Sequence, residues 1–81
     1  MFDEIKSEAA ALSGRLSEWR RSFHRRPETA FREVETQKVL RAFFERLGMP
    51  VRSMAKTGLR ADLQGLPGGR TVALRADMDA L

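Results

Sequence analysis

Thr71-Val72-Ala73-Leu74-Arg75-Ala76-Asp77-Met78-Asp79-Ala80-Leu81 closes the sequence with an apolar run that ends in two carboxylates one residue apart. The unbroken Val72-Ala73-Leu74 core of that run predicts a strand over about 71–76, apolar on both faces and suited to the inside of a sheet covered on both sides. Open α/β sheets place their ligand or metal sites at the carboxyl ends of such strands. The expectation is an α/β fold with a site at Asp77 and Asp79.

Working outward, two further strands are predicted over about 51–55 and 59–64. Lys56-Thr57-Gly58 and Gly65-Leu66-Pro67-Gly68-Gly69-Arg70 separate the three and read as hairpin loops. Ile5, Ala9, Leu12, Leu16, Trp19 and Phe23 recur by fours and threes, with charged and polar residues between them, which predicts one amphipathic helix over about 3–25. Pro27 ends it, because the residue before a proline leaves the α region and proline donates no hydrogen bond. A second helix is predicted over about 32–47, with Thr36, Val39, Leu40, Phe43, Phe44 and Leu47 on one face and Gly48 in the C′ position. Pro50 keeps it from resuming, and Phe31 in the connector is expected to tuck under the first helix. Two helices and three strands cannot cover the last strand twice. Residues 1–81 are therefore expected to form the amino-terminal part of a single, incomplete catalytic domain.

Composition narrows the chemistry. A chain of 81 residues buries only about 60 to 65% of its unfolded surface, so stability is expected to be marginal. There is no cysteine, which excludes a disulfide staple and a thiolate nucleophile or ligand. His24 is the single histidine. A zinc site closed by this chain alone would rest almost wholly on carboxylates, which is unusual for that ion. The start, Met1-Phe2-Asp3-Glu4-Ile5-Lys6, carries acids where a secretory signal carries bases, and no apolar run approaches the roughly 20 residues of a membrane span. A cytoplasmic protein without a membrane partner is expected. Fifteen Lys and Arg against eleven Asp and Glu give +4. A polyanion partner could account for that excess, but no exposed aromatic is interleaved with Arg20, Arg21, Arg25, Arg26 and Arg32 to stack bases. The arginines read as solvated helix surface paired with Glu28, Glu33 and Glu35, and no nucleic acid is expected.

Two clusters remain as candidate chemistry. In extended backbone Asp77 and Asp79 project to the same side, with Cα atoms about 6.5 Å apart. They suit one pocket, either as metal ligands or as acceptors that orient histidine ligands. The alternative is that they cap a turn or a helix. His24 and Glu28 could form an acid/base pair, although a histidine at a helix end more often caps carbonyls and gains from the helix dipole; the capping role is favoured. Gly65-Leu66-Pro67-Gly68-Gly69 is a turn and not a phosphate cradle, since no Lys-Ser or Lys-Thr helix follows.

Five motifs occur in one order: Arg20-Arg21-Ser22-Phe23-His24-Arg25-Arg26-Pro27-Glu28; Phe31-Arg32-Glu33 with Thr36; Leu47-Gly48 followed by Val51; Thr57-Gly58; and Leu74-Arg75-Ala76-Asp77-Met78-Asp79-Ala80-Leu81. Together they resemble the amino-terminal segment of the aminoacylase and carboxypeptidase family of two-metal peptidases. The likeness is narrower to that family's amidohydrolase branch, which includes N-acyl-amino-acid amidohydrolases, hippurate hydrolases and indole-acetyl-amino-acid hydrolases. It covers about residues 15–81.

The resemblance implies an α/β/α metallopeptidase catalytic domain interrupted by a smaller dimerisation domain, a homodimer of the full-length enzyme, and a centre of zinc, manganese, nickel or cobalt that hydrolyses the amide bond of an N-acyl amino acid. A metal-bound water would attack the carbonyl with a glutamate as general base. Related branches carry His-x-Asp at this strand end. Asp77 stands at the histidine's place and Asp79 matches the aspartate, so both are expected as pocket carboxylates that support a metal site, while His24, Pro27, Glu28 and Gly58 belong to the structural motifs. The branch takes its metal ligands and catalytic glutamate from later sequence. No metal is therefore expected in this chain alone, and it should be inactive by itself. The competing expectations are a small binding module that uses the arginine-rich helix end, and a remnant that pairs with a separate chain.

Overall fold

In the computed structural model residues 1–80 are described; Leu81, which closes the Asp-Met-Asp-Ala-Leu motif, lies outside the described residues. Helices α1 (Phe2–Ala11), α2 (Ser13–Arg25) and α3 (Val34–Arg46) precede strands β1 (Val51–Met54) and β2 (Gly58–Ala61). The α/β class matches the expectation, but the strands number two, not three.

The single helix expected over 3–25 is broken at Leu12. Its N–H is shared between the carbonyls of Glu8 at 3.2 Å and Ala9 at 3.1 Å, and its φ of −83° with ψ of −7° tightens the turn. Ser13-Gly14 follows directly, and a Gly/Ser pair is a recognised cause of a kink: serine competes for backbone hydrogen bonds and glycine has low helix propensity. Periodicity alone could not reveal this, since Leu16 N–H still bonds Leu12 C=O at 2.9 Å and the apolar stripe runs across the joint.

The end of α3 follows the sequence closely. Gly48 takes φ of 77°, its N–H bonds Glu45 C=O at 2.9 Å, and Met49 N–H bonds Phe44 C=O at 3.1 Å. These are the two bonds of a Schellman motif, which needs a left-handed residue at C′. The chain then turns into the antiparallel β1–β2 hairpin, in which Met54 opposes Gly58 and Val51 opposes Ala61. The turn residues Ala55 and Lys56 have φ of 49° and 66°, a strained choice for side chains other than glycine. Gly58 is required for a different reason. A Cβ there would stand 2.8 Å from the Met54 carbonyl oxygen, so only glycine fits opposite Met54.

The helix α3 lies across the hairpin. Gln37 Nε2 donates to Gly58 C=O at 3.0 Å, and the Arg41 guanidinium donates to Ser53 Oγ. Between α2 and α3 the contact is aromatic: Trp19 meets Phe43 edge-on at 4.8 Å, while within α3 Phe43 meets Phe44 at 5.4 Å. Even so, no apolar side chain among the described residues is buried. The radius of gyration of 14.6 Å exceeds the roughly 12 Å of a compact domain of this length.

Three expectations about packing are corrected. Residues 71–76 form no strand, and Val72 and Leu74 are 82% and 97% exposed; a strand requires a hydrogen-bonded neighbour, and the described residues supply none there. Gly65–Arg70 is accordingly not a hairpin loop, although Pro67-Gly68, with Gly68 at φ of 82°, fits the centre of a type II turn. Phe31 does not tuck under the first helix: it is exposed and sits at φ of 63°.

Candidate functional site

The α2–α3 connector and the last described residues meet. Ala80 N–H donates to the Glu28 carbonyl at 2.7 Å, which lays residues 77–80 against the connector. Two open hollows flank this segment. One, of about 240 Å³, is lined by Arg20, Phe23, His24, Pro27, Thr36 and Asp79, among others. The second, of about 330 Å³, includes Glu33, Thr57, Gly58, Arg75, Asp77 and Asp79. Residues that the sequence separates by some fifty positions thus converge on one short segment, with Asp79 facing both hollows.

The Glu28 side chain is committed to α3. Its Oε1 accepts Thr36 N–H and Thr36 Oγ1–H, each at 2.7 Å, and its Oε2 accepts Glu35 N–H at 3.1 Å. The orphan amides of a helix N-terminus attract a carboxylate in this way. The Thr36 hydroxyl first, and the backbone amides after it, hold the carboxyl below its ordinary value of 4.5. Glu28 is therefore not the acid/base partner of His24. His24 lies in the last turn of α2.

Glu33, read from sequence as an ion-pair partner of the arginines, is one of two buried residues among those described, the other being Thr36. Its Oε1 accepts Phe31 N–H at 2.9 Å, and Oε2 accepts the Thr57 hydroxyl. That hydroxyl is the largest cause lowering the Glu33 carboxyl below 4.5, against a partly opposing effect of burial. One carboxylate ties the strained Phe31 turn to the strained β-turn. Among the described residues the ion pairs formed are Lys38–Glu35 and Arg41–Glu45 on α3, Arg60–Asp62, and Arg75–Asp77 at 3.2 Å; of the acids expected to pair with the arginines, Glu28 and Glu33 bond threonines and backbone amides and Glu35 pairs with Lys38.

A resident zinc, manganese, nickel or cobalt ion does not fit the donors present. Among the described residues no three His, Asp or Glu side chains gather as an ion would need, Glu33 is spent on Phe31 and Thr57, and Asp77 is paired with Arg75. The segment offers Asp79 as an acceptor beside an apolar-walled hollow. Among the described residues no helix is long and apolar enough to cross a membrane.

Comparison with known proteins agrees with the motifs. The sequence is 39% identical over 79 residues to a putative amidohydrolase, YhaA, of Bacillus subtilis, covering 96% of this chain and 20% of that protein. It is 37% identical over 82 residues to the N-acyl-L-amino acid amidohydrolase of Geobacillus stearothermophilus, covering all of this chain and 20% of the other. Over most of its length this chain is similar to amidohydrolases and N-acyl amino acid hydrolases. The likeness reaches plants, with 48% identity over 67 residues to an IAA-amino acid hydrolase ILR1-like 6 of Arabidopsis thaliana, covering 82% of this chain and 14% of that one. The chain spans about a fifth of the length of these bacterial amidohydrolase relatives. No protein-family profile matches the sequence, and no solved structure matches it.

Proposed function

We propose that this chain is the amino-terminal part of a metal-dependent enzyme that cleaves the amide bond of N-acyl amino acids, and that residues 77–80 form one wall of its cleft. The observation that carries this is the meeting of His24, Pro27 and Glu28 with Asp79 around the Ala80–Glu28 hydrogen bond. A solvated surface has no need to bring two distant motifs to one segment. Within the wall Asp79 serves as the carboxylate that orients a neighbouring ligand group, Asp77 pairs with Arg75 at the surface, and the ion donors and general base come from the remainder of the enzyme. A cytoplasmic, dimeric parent enzyme belongs to the same proposal.

The test replaces the matched segment of the Geobacillus stearothermophilus enzyme by this chain and assays N-acetyl amino acids and hippurate with added manganese or zinc. The chimera is expected to turn over, and Asp79→Asn to lower activity or bound metal by about 10 to 100-fold, as loss of a carboxylate behind a metal ligand does. Asp77→Asn should cost less. The 81-residue chain alone should give no turnover above a metal-only control. Turnover by the isolated chain, or full activity and metal content in the Asp79→Asn chimera, would overturn the assignment.

A further inference from the structure

Glu28 works at both ends. Its carboxylate receives three hydrogen bonds from Glu35 and Thr36 at the start of α3, while its own carbonyl receives Ala80 N–H. The Ala80 bond is 2.7 Å long, and Asp79 is the adjoining residue. No strand neighbour holds residues 71–80 otherwise, since among the described residues β1 and β2 pair only with each other. An anchored α3 therefore fixes the Glu28 backbone, and the Glu28 backbone fixes the residue after Asp79.

We infer that Glu28 is a positioning residue for Asp79, with its side chain locking to α3 the peptide whose carbonyl holds the 77–80 segment. The inference rests on Asp79 belonging to the cleft wall, but its test reads backbone geometry and not turnover, so the two fail separately. An ordinary helix cap would secure α3 and leave Ala80 indifferent. A positioning residue couples them.

The experiment is amide hydrogen exchange followed by NMR on the full 81-residue chain. Glu28→Ala should speed exchange at Glu35, Thr36 and Ala80 together, by about tenfold or more, the scale expected when hydrogen bonds to a charged acceptor are lost. Gly48→Ala is the control: it strains the left-handed C′ position at φ of 77° and weakens α3 from its far end, and Ala80 exchange should stay within about twofold of the unsubstituted chain. If Glu28→Ala melts α3 outright, seen as lost protection at Phe43 and Phe44, Glu28→Gln decides. Its amide oxygen still accepts from Thr36 while its nitrogen no longer serves Glu35, so Ala80 should show a smaller rise. Unchanged Ala80 exchange in whichever Glu28 variant keeps α3, or an equal rise in Gly48→Ala, would show that Glu28 is a helix cap only.

Discussion

Self-association of the isolated chain is the most direct consequence of its surface. Val72 and Leu74, two residues apart in the 71–76 segment, are 82% and 97% exposed, with Leu63 and Leu66 at 81% and 89% nearby in sequence. Full burial of one such side chain is worth about 1.5–3 kcal/mol, so Val72 and Leu74 together forgo roughly 3–5 kcal/mol. That loss is a large part of the roughly 4–12 kcal/mol expected for 81 residues at ordinary stability per residue. Placed in a self-made contact, the same 3–5 kcal/mol corresponds to dissociation constants from about 6 mM down to about 0.2 mM, before any backbone pairing between unpaired strand edges tightens it. The weight-average mass in sedimentation equilibrium is therefore expected to rise between about 10 μM and 1 mM. Val72→Lys with Leu74→Lys removes the contact and adds charge to a chain that is already +4, so the association midpoint should move up by about 100-fold or more. A monodisperse monomer up to 1 mM with a sharp melt above about 65 °C, the top of the usual mesophile range, would show that the chain buries a core of its own and would refute the reasoning.

Two further outcomes are expected. Gly58→Ala forces a Cβ to 2.8 Å from the Met54 carbonyl oxygen, and because that obstacle is backbone the hairpin must open at an overpacking cost of about 1–3 kcal/mol; loss of the cross-strand Met54–Gly58 contact by NMR is the measure, and an intact register would refute it. Glu28 and Glu33 both have folded values below 4.5, so the stability they supply is present above that value and is lost as pH falls through the lowered one; far-UV circular dichroism should show α3 weakening below about pH 4.5, and Glu28→Gln with Glu33→Gln should flatten the transition. An unchanged transition in the double variant would mean that other carboxylates drive it.

The parts of the fold legible in the sequence are those decided by local covalent constraint. Pro27 and Pro50 bound the helices because a pyrrolidine ring limits its own residue and the one before it, and Gly48 ends α3 because a left-handed C′ residue is nearly its own signature. Gly58 is legible for a related reason: a glycine in a short connector between two strand patterns marks a place where the backbone leaves no room for a side chain. The 71–76 run was misread at a different level. Its apolar pattern states correctly that the segment is suited to burial, but burial and strand pairing need a partner, and Val72 and Leu74 meet none among the described residues.

The missed residues are Glu28 in its capping role and Glu33 in its buried one, and one signal for them was available. At the N-cap of α3 stands Glu33, where Ser, Thr, Asp or Asn would be the usual local acceptor, and no side chain at that position caps the helix. Four amides at a helix start cannot go without partners at low cost, so a weak local cap implies an acceptor elsewhere. Glu28 is that acceptor, eight residues before Thr36. Glu33, released from capping, is free to bond Phe31 and Thr57, the residues that steady two left-handed turns. The exchange of roles between the two glutamates joins α3 to the hairpin on one side and to the Asp79 segment on the other. Spacing statistics cannot show such an exchange, because neither carboxylate bonds at a helical or strand interval; an account of where each helix-end amide goes would have exposed it.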